Sequence, residues 1–241
     1  MHGSNIERHE PAPGALRLES WDFERVDAVP YLDEDGREVD HRQVERNEQL
    51  IAWQFVAADD RVLELGGRYG TVACLANNRL ADPTRHVVIE PDARVIPSLL
   101  LNRTSHNAFF TVYRNVIARE DLVLSHTGYD TRTVPACCGQ EAVPRMSLDD
   151  VVALQGFGFT ALIADCEGCF ERFLRENGGA HLDALRMVSY EKDVPYACDY
   201  GWVAGELARR GFECVRDGFH MVWTKRAPPA EYGHPCHPST F

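Results

Sequence analysis

The stretch Arg61-Val62-Leu63-Glu64-Leu65-Gly66-Gly67-Arg68-Tyr69-Gly70-Thr71 decides how the chain is read. Val62, Leu63 and Leu65 form a short apolar run of the kind buried on both faces of a parallel sheet. Three glycines follow, and glycine lets a backbone turn tightly and come close to a ligand. Thr71 to about Leu80 then reads as a helix whose N-terminal amides face the same crevice. Strand, glycine turn and helix together make a nucleotide-type binding turn, and the rest of the chain has to say what it holds.

Three ligands compete for such a turn. A phosphate loop needs G-x-x-x-x-G-K-[ST], but Arg68-Tyr69-Gly70-Thr71 offers no lysine in place. The dinucleotide fingerprint needs a glycine where Leu65 stands, which demotes NAD. What remains is an acid, a spacer and glycines: Glu64-x-Gly66-Gly67-x-x-Gly70. A carboxylate repels a pyrophosphate but suits the ammonium end of a methionine-type ligand, so the sign of the charge favours S-adenosylmethionine. A second acid, Glu90, ends the next apolar run, His86 to Ile89, just before Pro91 and 20 residues beyond Gly70. There its oxygens would accept hydrogen bonds from the ribose hydroxyls. The plainer reading of Glu90 is a surface acid at a strand end.

Outward from this unit, apolar runs alternate with helical segments: a third strand at 109–113, a fourth at 160–165 and a fifth at 185–190. Helices are expected from Asp92, with Pro97 tolerated in the first turn, from a Ser147 cap, from Cys169 to Glu176 and from Tyr200 to Arg210. Such alternation means βαβ units and a parallel sheet. Arg216-Asp217-Gly218 separates two final strands closely enough for an antiparallel hairpin. Before the sheet, Asp33-Glu34-Asp35-Gly36 reads as a turn and 37–57 as one amphipathic helix. The chain divides into a mobile arm at 1–20, a helical extension at 21–58, a catalytic domain at 59–226 and a loose tail at 227–241.

Glu64-Leu-Gly66-Gly-Arg-Tyr-Gly70-Thr, Ile89-Glu90-Pro91-Asp92, Ser147-Leu148-Asp149-Asp150 and Ala164-Asp165-Cys166-Glu167-Gly168 resemble, in that order, the FkbM family of S-adenosylmethionine-dependent methyltransferases. The glycine loop also resembles versions in algal-virus and protist members. The resemblance covers roughly 60–225. It implies the class I methyltransferase fold: a Rossmann-like, seven-stranded, mostly parallel α/β sheet, order 3-2-1-4-5-7-6, with strand seven antiparallel. It also implies O-methylation, often of sugars or of polyketides and other secondary metabolites. For the cofactor it implicates Glu64, Gly66, Gly67, Tyr69, Gly70, Thr71, Glu90, Pro91, Asn115 and Asp165. The family commonly has Glu at the position of Phe170, followed here by Glu171, so one substrate contact is missing.

Ligands in open α/β sheets lie over the carboxyl ends of the strands. Asp165, Glu167 and Glu191 are therefore the catalytic candidates, with a carboxylate removing the acceptor's proton. The bland reading is that Asp165 and Glu167 only cap or orient the next helix. Together with Glu191 they could also bind Mg²⁺, an addition that hydroxyl methylation does not require. His126, Tyr190, Asp193 and Tyr196 are candidates for contact with the acceptor, and Trp202 either joins them or packs its helix onto the sheet. The polar excursion at 121–143, which carries His126 and Arg132, reads as a lid or as an ordinary surface loop.

The formal charge of −12 and the lack of a basic stripe argue against a nucleic-acid partner and leave a small-molecule or glycan acceptor. No run is long and apolar enough to span a bilayer, and the N-terminus has no signal-peptide core, so a cytoplasmic protein without disulfides is expected. On that view Cys166-Glu-Gly-Cys169 is a pair of reduced thiols. A zinc site with Cys137 and Cys138 is poorly spaced.

Overall fold

Burial on both faces makes the apolar runs the centre of a sheet. The computed structural model describes residues 26–127 and 130–225, so the expected arm and tail lie outside the described residues. β1 (Tyr31–Leu32) and β2 (Glu38–Val39) form a small antiparallel ribbon around Gly36. Helices α1 (His41–Val44) and α2 (Arg46–Phe55) lead to β3 (Val62–Leu65). There follow α3 (Thr71–Arg79), β4 (His86–Ile89), α4 (Ile96–Ser105), β5 (Thr111–Tyr113) and the short β6 (Val116–Ile117). β7 (Leu122–Thr127) and β8 (Asp130–Pro135) pair as an antiparallel hairpin. The chain continues through β9 (Arg145–Met146), α5 (Leu148–Gln155), β10 (Ala161–Ala164), α6 (Phe170–Glu176) and α7 (Ala180–Asp183). It closes with β11 (Met187–Glu191), α8 (Tyr200–Arg209), β12 (Glu213–Arg216) and β13 (His220–Thr224).

The central sheet has seven strands in the order β12-β13-β11-β10-β3-β4-β5. Counting the seven in chain order, this is 6-7-5-4-1-2-3, with the seventh antiparallel to both neighbours. The expected α/β class I methyltransferase topology is therefore the observed one. In β3, alternation sends Leu63 and Leu65 to one core layer and Val62 to the other, where it meets Ile51, Phe55, Val72 and Leu75. Each such aliphatic side chain, fully buried, contributes about 1.5–3 kcal/mol. Among the described residues no helix is long and apolar enough to cross a membrane.

Local signals hold well. Ser147 and Asp150 form a reciprocal capping box at α5, Pro97 sits in the first turn of α4, and Asn177-Gly178-Gly179 follows the end of α6. The long helix expected at 37–57 is not formed. Residues 38 and 39 pair as β2, and the helix breaks at Glu45, whose backbone leaves helical space. The physical reason is Asp27, a buried carboxylate that gathers His41, Arg42 and Arg46 around itself. The fourth helical segment also begins later than expected, at Ile96 rather than near Asp92.

Candidate active site

The carboxyl ends of β3, β4 and β10 open into one cleft of about 1080 Å³, part of it open to solvent. Its first wall is the glycine turn. Gly66 has φ +86, and a Cβ there would lie 1.7 Å from the Asp165 carbonyl oxygen, so only glycine lets β3 run against β10 at this level. A Cβ at Gly67 would lie 2.3 Å from Val88 Cγ1. Across from the turn, Glu90 is braced by backbone: Oε2 accepts from Gly67 N at 3.0 Å and Arg68 N at 2.8 Å, and Oε1 accepts from Asp92 N at 2.8 Å. Burial pushes the Glu90 carboxyl up, against the opposing pull of those three amides. Glu64 faces the helix layer, where its Oε2 lies 3.1 Å from His86 Nε2, and burial raises its carboxyl as well. Both acids line the cleft, together with Thr71 and Pro91.

The second wall is acidic. Asp165 and Glu167 follow β10, and helix α2 with its lead-in adds Glu45 and Glu48. Burial drives the Asp165 carboxyl well above its ordinary range, and repulsion from Glu45, Glu191, Glu48 and Asp193 adds to the rise. Glu191 and Glu48 both hold His220 Nε2, Glu191 at 3.0 Å. Burial alone would lower the His220 pKa, but hydrogen bonds to Glu191 and Glu48 overcome it and bring it to about 9. Above this wall the β7–β8 hairpin contributes Thr131 and Thr133 to the cleft. Arg172 donates to Thr133 at 2.8 Å, Arg94 donates to His126 at 2.7 Å, and Arg132 donates to Tyr196 at 2.5 Å.

No family model and no curated protein matches the chain. Solved structures with a similar fold include the cofactor-bound Rv0187 from MTB, 12% identical, covering 76% of this chain and 81% of that one, with a TM-score of 0.48. The precorrin-6y C5,15-methyltransferase from Geobacter metallireducens is 12% identical over 76% and 89%, TM-score 0.45. The O-methyltransferase from Bacillus cereus in complex with SAH is 14% identical over 86% and 93%, TM-score 0.42. These neighbours are methyltransferases or cofactor-bound; likeness this distant carries no inference about substrate.

Several residues read from the sequence stand elsewhere. Tyr69 does not reach the cleft. Its ring is buried, its hydroxyl donates to Glu34 and accepts from Arg68 at 3.3 Å, and the N-terminal ribbon holds it from behind. Asn115 sits in a bend beside β6, and its neighbours Val116 and Ile117 line the cleft instead. Tyr190 is a core residue stacked on Tyr200, Asp193 accepts from Tyr200 and from Val194 N at 2.7 Å, and Tyr196 is exposed at the rim. His126 turns to the Asp92–Arg94 pair beside β4 rather than to the acidic wall. Trp202 packs under the Arg175 guanidinium at 3.8 Å.

The oxygen set Asp165, Glu167 and Glu191 is not the one that converges. Asp165 and Glu167 group with Asp193, while Glu191 groups with Glu48 and His220 because imidazole draws it away. The two thiols are not reduced: Cys166 and Cys169 form a disulfide. The helix starts only at Phe170, so 166–169 is a tight turn with Glu167 at φ +54 and Gly168 at φ +84, which folds one sulfur back onto the other. The residues that sequence reasoning missed are Glu45, Glu48, Asp92, Arg172 and the hairpin threonines. Positions 45 and 48 share a helical face, a signal read only as packing.

Proposed function

We propose that the protein is an S-adenosylmethionine-dependent O-methyltransferase of the FkbM type, acting on a hydroxyl of a sugar in a glycan or glycoconjugate. One observation carries this reading: a backbone-braced acid beside a glycine turn and a separate crowd of carboxylates share a single cleft. The first wall fits the cofactor. A phosphate-bearing ligand would meet Glu64, Glu90 and Asp92, whereas a sulfonium with an ammonium group and a ribose meets acceptors. Glu90 with Gly66, Gly67 and Arg68 of the turn would hold the ribose and chain, Asp92 with Val95, Val116 and Ile117 the base, and Glu64 the ammonium end. When bound, S-adenosylmethionine supplies an electrophilic methyl group.

The chain's own residues then orient the acceptor and take its proton. A carboxylate whose pKa is raised is the stronger base once ionised, and burial raises Asp165. Glu167 lies beside it, and positioning of the hydroxyl accounts for much of the expected rate. The alternative within the same chemistry is a small natural-product acceptor. Thr131, Thr133, Arg172 and the carboxylates favour a sugar, because they give the cleft a polar lining whose remaining donors and acceptors suit a hydroxyl-rich ligand better than an apolar metabolite. A panel of glycans and apolar phenols incubated with labelled cofactor tests the acceptor: transfer to sugar hydroxyls supports the reading, and transfer only to the phenols would overturn it.

A further inference from the structure

We infer that the Cys166–Cys169 bridge is a reversible redox modification site that sets the competence of the cleft. The inference rests on the methyltransferase reading of that same cleft. The two cysteines flank Glu167 and Gly168 in Asp165-Cys166-Glu167-Gly168-Cys169, so the bridge encloses a residue offered as a catalytic carboxylate. Both cysteines line the cleft and are half-buried, within reach of a small thiol, whereas Cys74 and Cys198 are buried.

The bridge constrains a conformation that L residues avoid. Glu167 has φ +54, a left-handed backbone that is unfavourable for a non-glycine residue. Closing the turn through the sulfurs fixes both of its ends and keeps Glu167 there, with its carboxylate grouped with Asp165 and Asp193. The turn is also pressed between two other parts of the site. A Cβ at Gly168 would lie 3.1 Å from Val194, in the loop after β11, and the Asp165 carbonyl lies against Gly66 of the cofactor turn. Movement of 165–169 therefore reaches both walls.

The chemistry is ordinary thiol–disulfide exchange. A thiolate such as that of glutathione attacks one cysteine sulfur, forms a mixed disulfide and releases the other cysteine, which takes a proton. A second glutathione thiolate then displaces the remaining cysteine, which is protonated in turn. The bridge gains two electrons and two protons overall, and two glutathiones become glutathione disulfide; the reverse reaction restores it. The bridged form is the organised one, and reduction frees Glu167 to return to ordinary backbone angles.

The test compares the oxidised and reduced full-length protein in glutathione buffers of defined ratio. Alkylation and peptide mapping should find 166 and 169 paired under oxidising buffer and free under reducing buffer. Hydrogen exchange over 165–172, measured without cofactor, should rise on reduction, and S-adenosylhomocysteine affinity should fall about tenfold, reversibly. A Cys166→Ser/Cys169→Ser protein, which keeps the other cysteines, should show neither response. Free thiols at 166 and 169 in oxidising buffer, or exchange and affinity unchanged by reduction, would overturn the inference. Failure of both forms to bind S-adenosylhomocysteine would overturn the methyltransferase reading instead, with the exchange data still deciding whether the turn responds.

Discussion

The two walls of the cleft are built on different principles. The cofactor wall is local and mostly backbone: two adjoining βα turns, close-packed glycines, and one carboxylate fixed by three amide donors. The acidic wall is assembled from distant segments, with Glu45 and Glu48 ahead of the sheet and Asp165 and Glu167 after β10, while Glu191 and His220, on antiparallel neighbours, stand behind it and hold Glu48. Backbone-made geometry tolerates little change in shape, whereas a wall of repelling carboxylates tolerates little change in charge.

That contrast can be broken most severely at Gly66. Gly66→Ala places a methyl within the Asp165 carbonyl, and S-adenosylhomocysteine affinity should fall by more than about 100-fold, measured by calorimetry on protein whose folding is checked by circular dichroism. On the other wall, Asp165→Asn preserves shape and removes charge. Turnover should drop by about 100-fold or more while S-adenosylhomocysteine affinity stays within a few-fold, a split that separates the walls. The wild-type rate should climb with pH as the raised Asp165 carboxyl ionises, and the variant should lose that rise.

Smaller effects sharpen the same contrast. The His220 pKa is raised to about 9 from an ordinary 6.5, so its contribution to stability is present below 6.5 and is lost as the pH climbs through 9. Thermal unfolding of the wild type should therefore decline across that window, and His220→Gln should flatten the decline. The raised Glu191 carboxyl acts in the same direction, since its ionisation is opposed in the folded state. Smallest of all, Tyr196→Phe removes the hydrogen bond from Arg132 at the exposed rim while keeping the ring, and should change the acceptor KM by about two- to threefold, with kcat held.

The difference between the walls also explains what could be read from the chain. Glu64, the glycines and Glu90 declare themselves because strand, turn and helix are contiguous, and their spacing carries the geometry. Alternating runs and the short Arg216-Asp217-Gly218 link point to a parallel sheet closed by an antiparallel hairpin for the same reason, whereas the strand order came with the family resemblance. The acidic wall depends on contacts between elements far apart in the chain. Helical spacing at 45 and 48 says that they share a face, not that the face looks over β10. Tyr69 sits inside the most legible motif, yet its direction is set by Glu34, which spacing within the motif cannot reveal. The bridge was hidden because the cytoplasmic reading implied reduced thiols, and because the expected helix start at Cys169 concealed the turn that brings the two sulfurs together.

The central claim is that the Glu64–Thr71 turn with Glu90 is a cofactor site for S-adenosylmethionine. Titrating S-adenosylhomocysteine into the wild type and into Glu90→Ala tests it most directly. Micromolar binding by the wild type, weakened about 10- to 100-fold in the variant, is the predicted result. No heat of binding with the wild type, or equal affinity in both proteins, would contradict it.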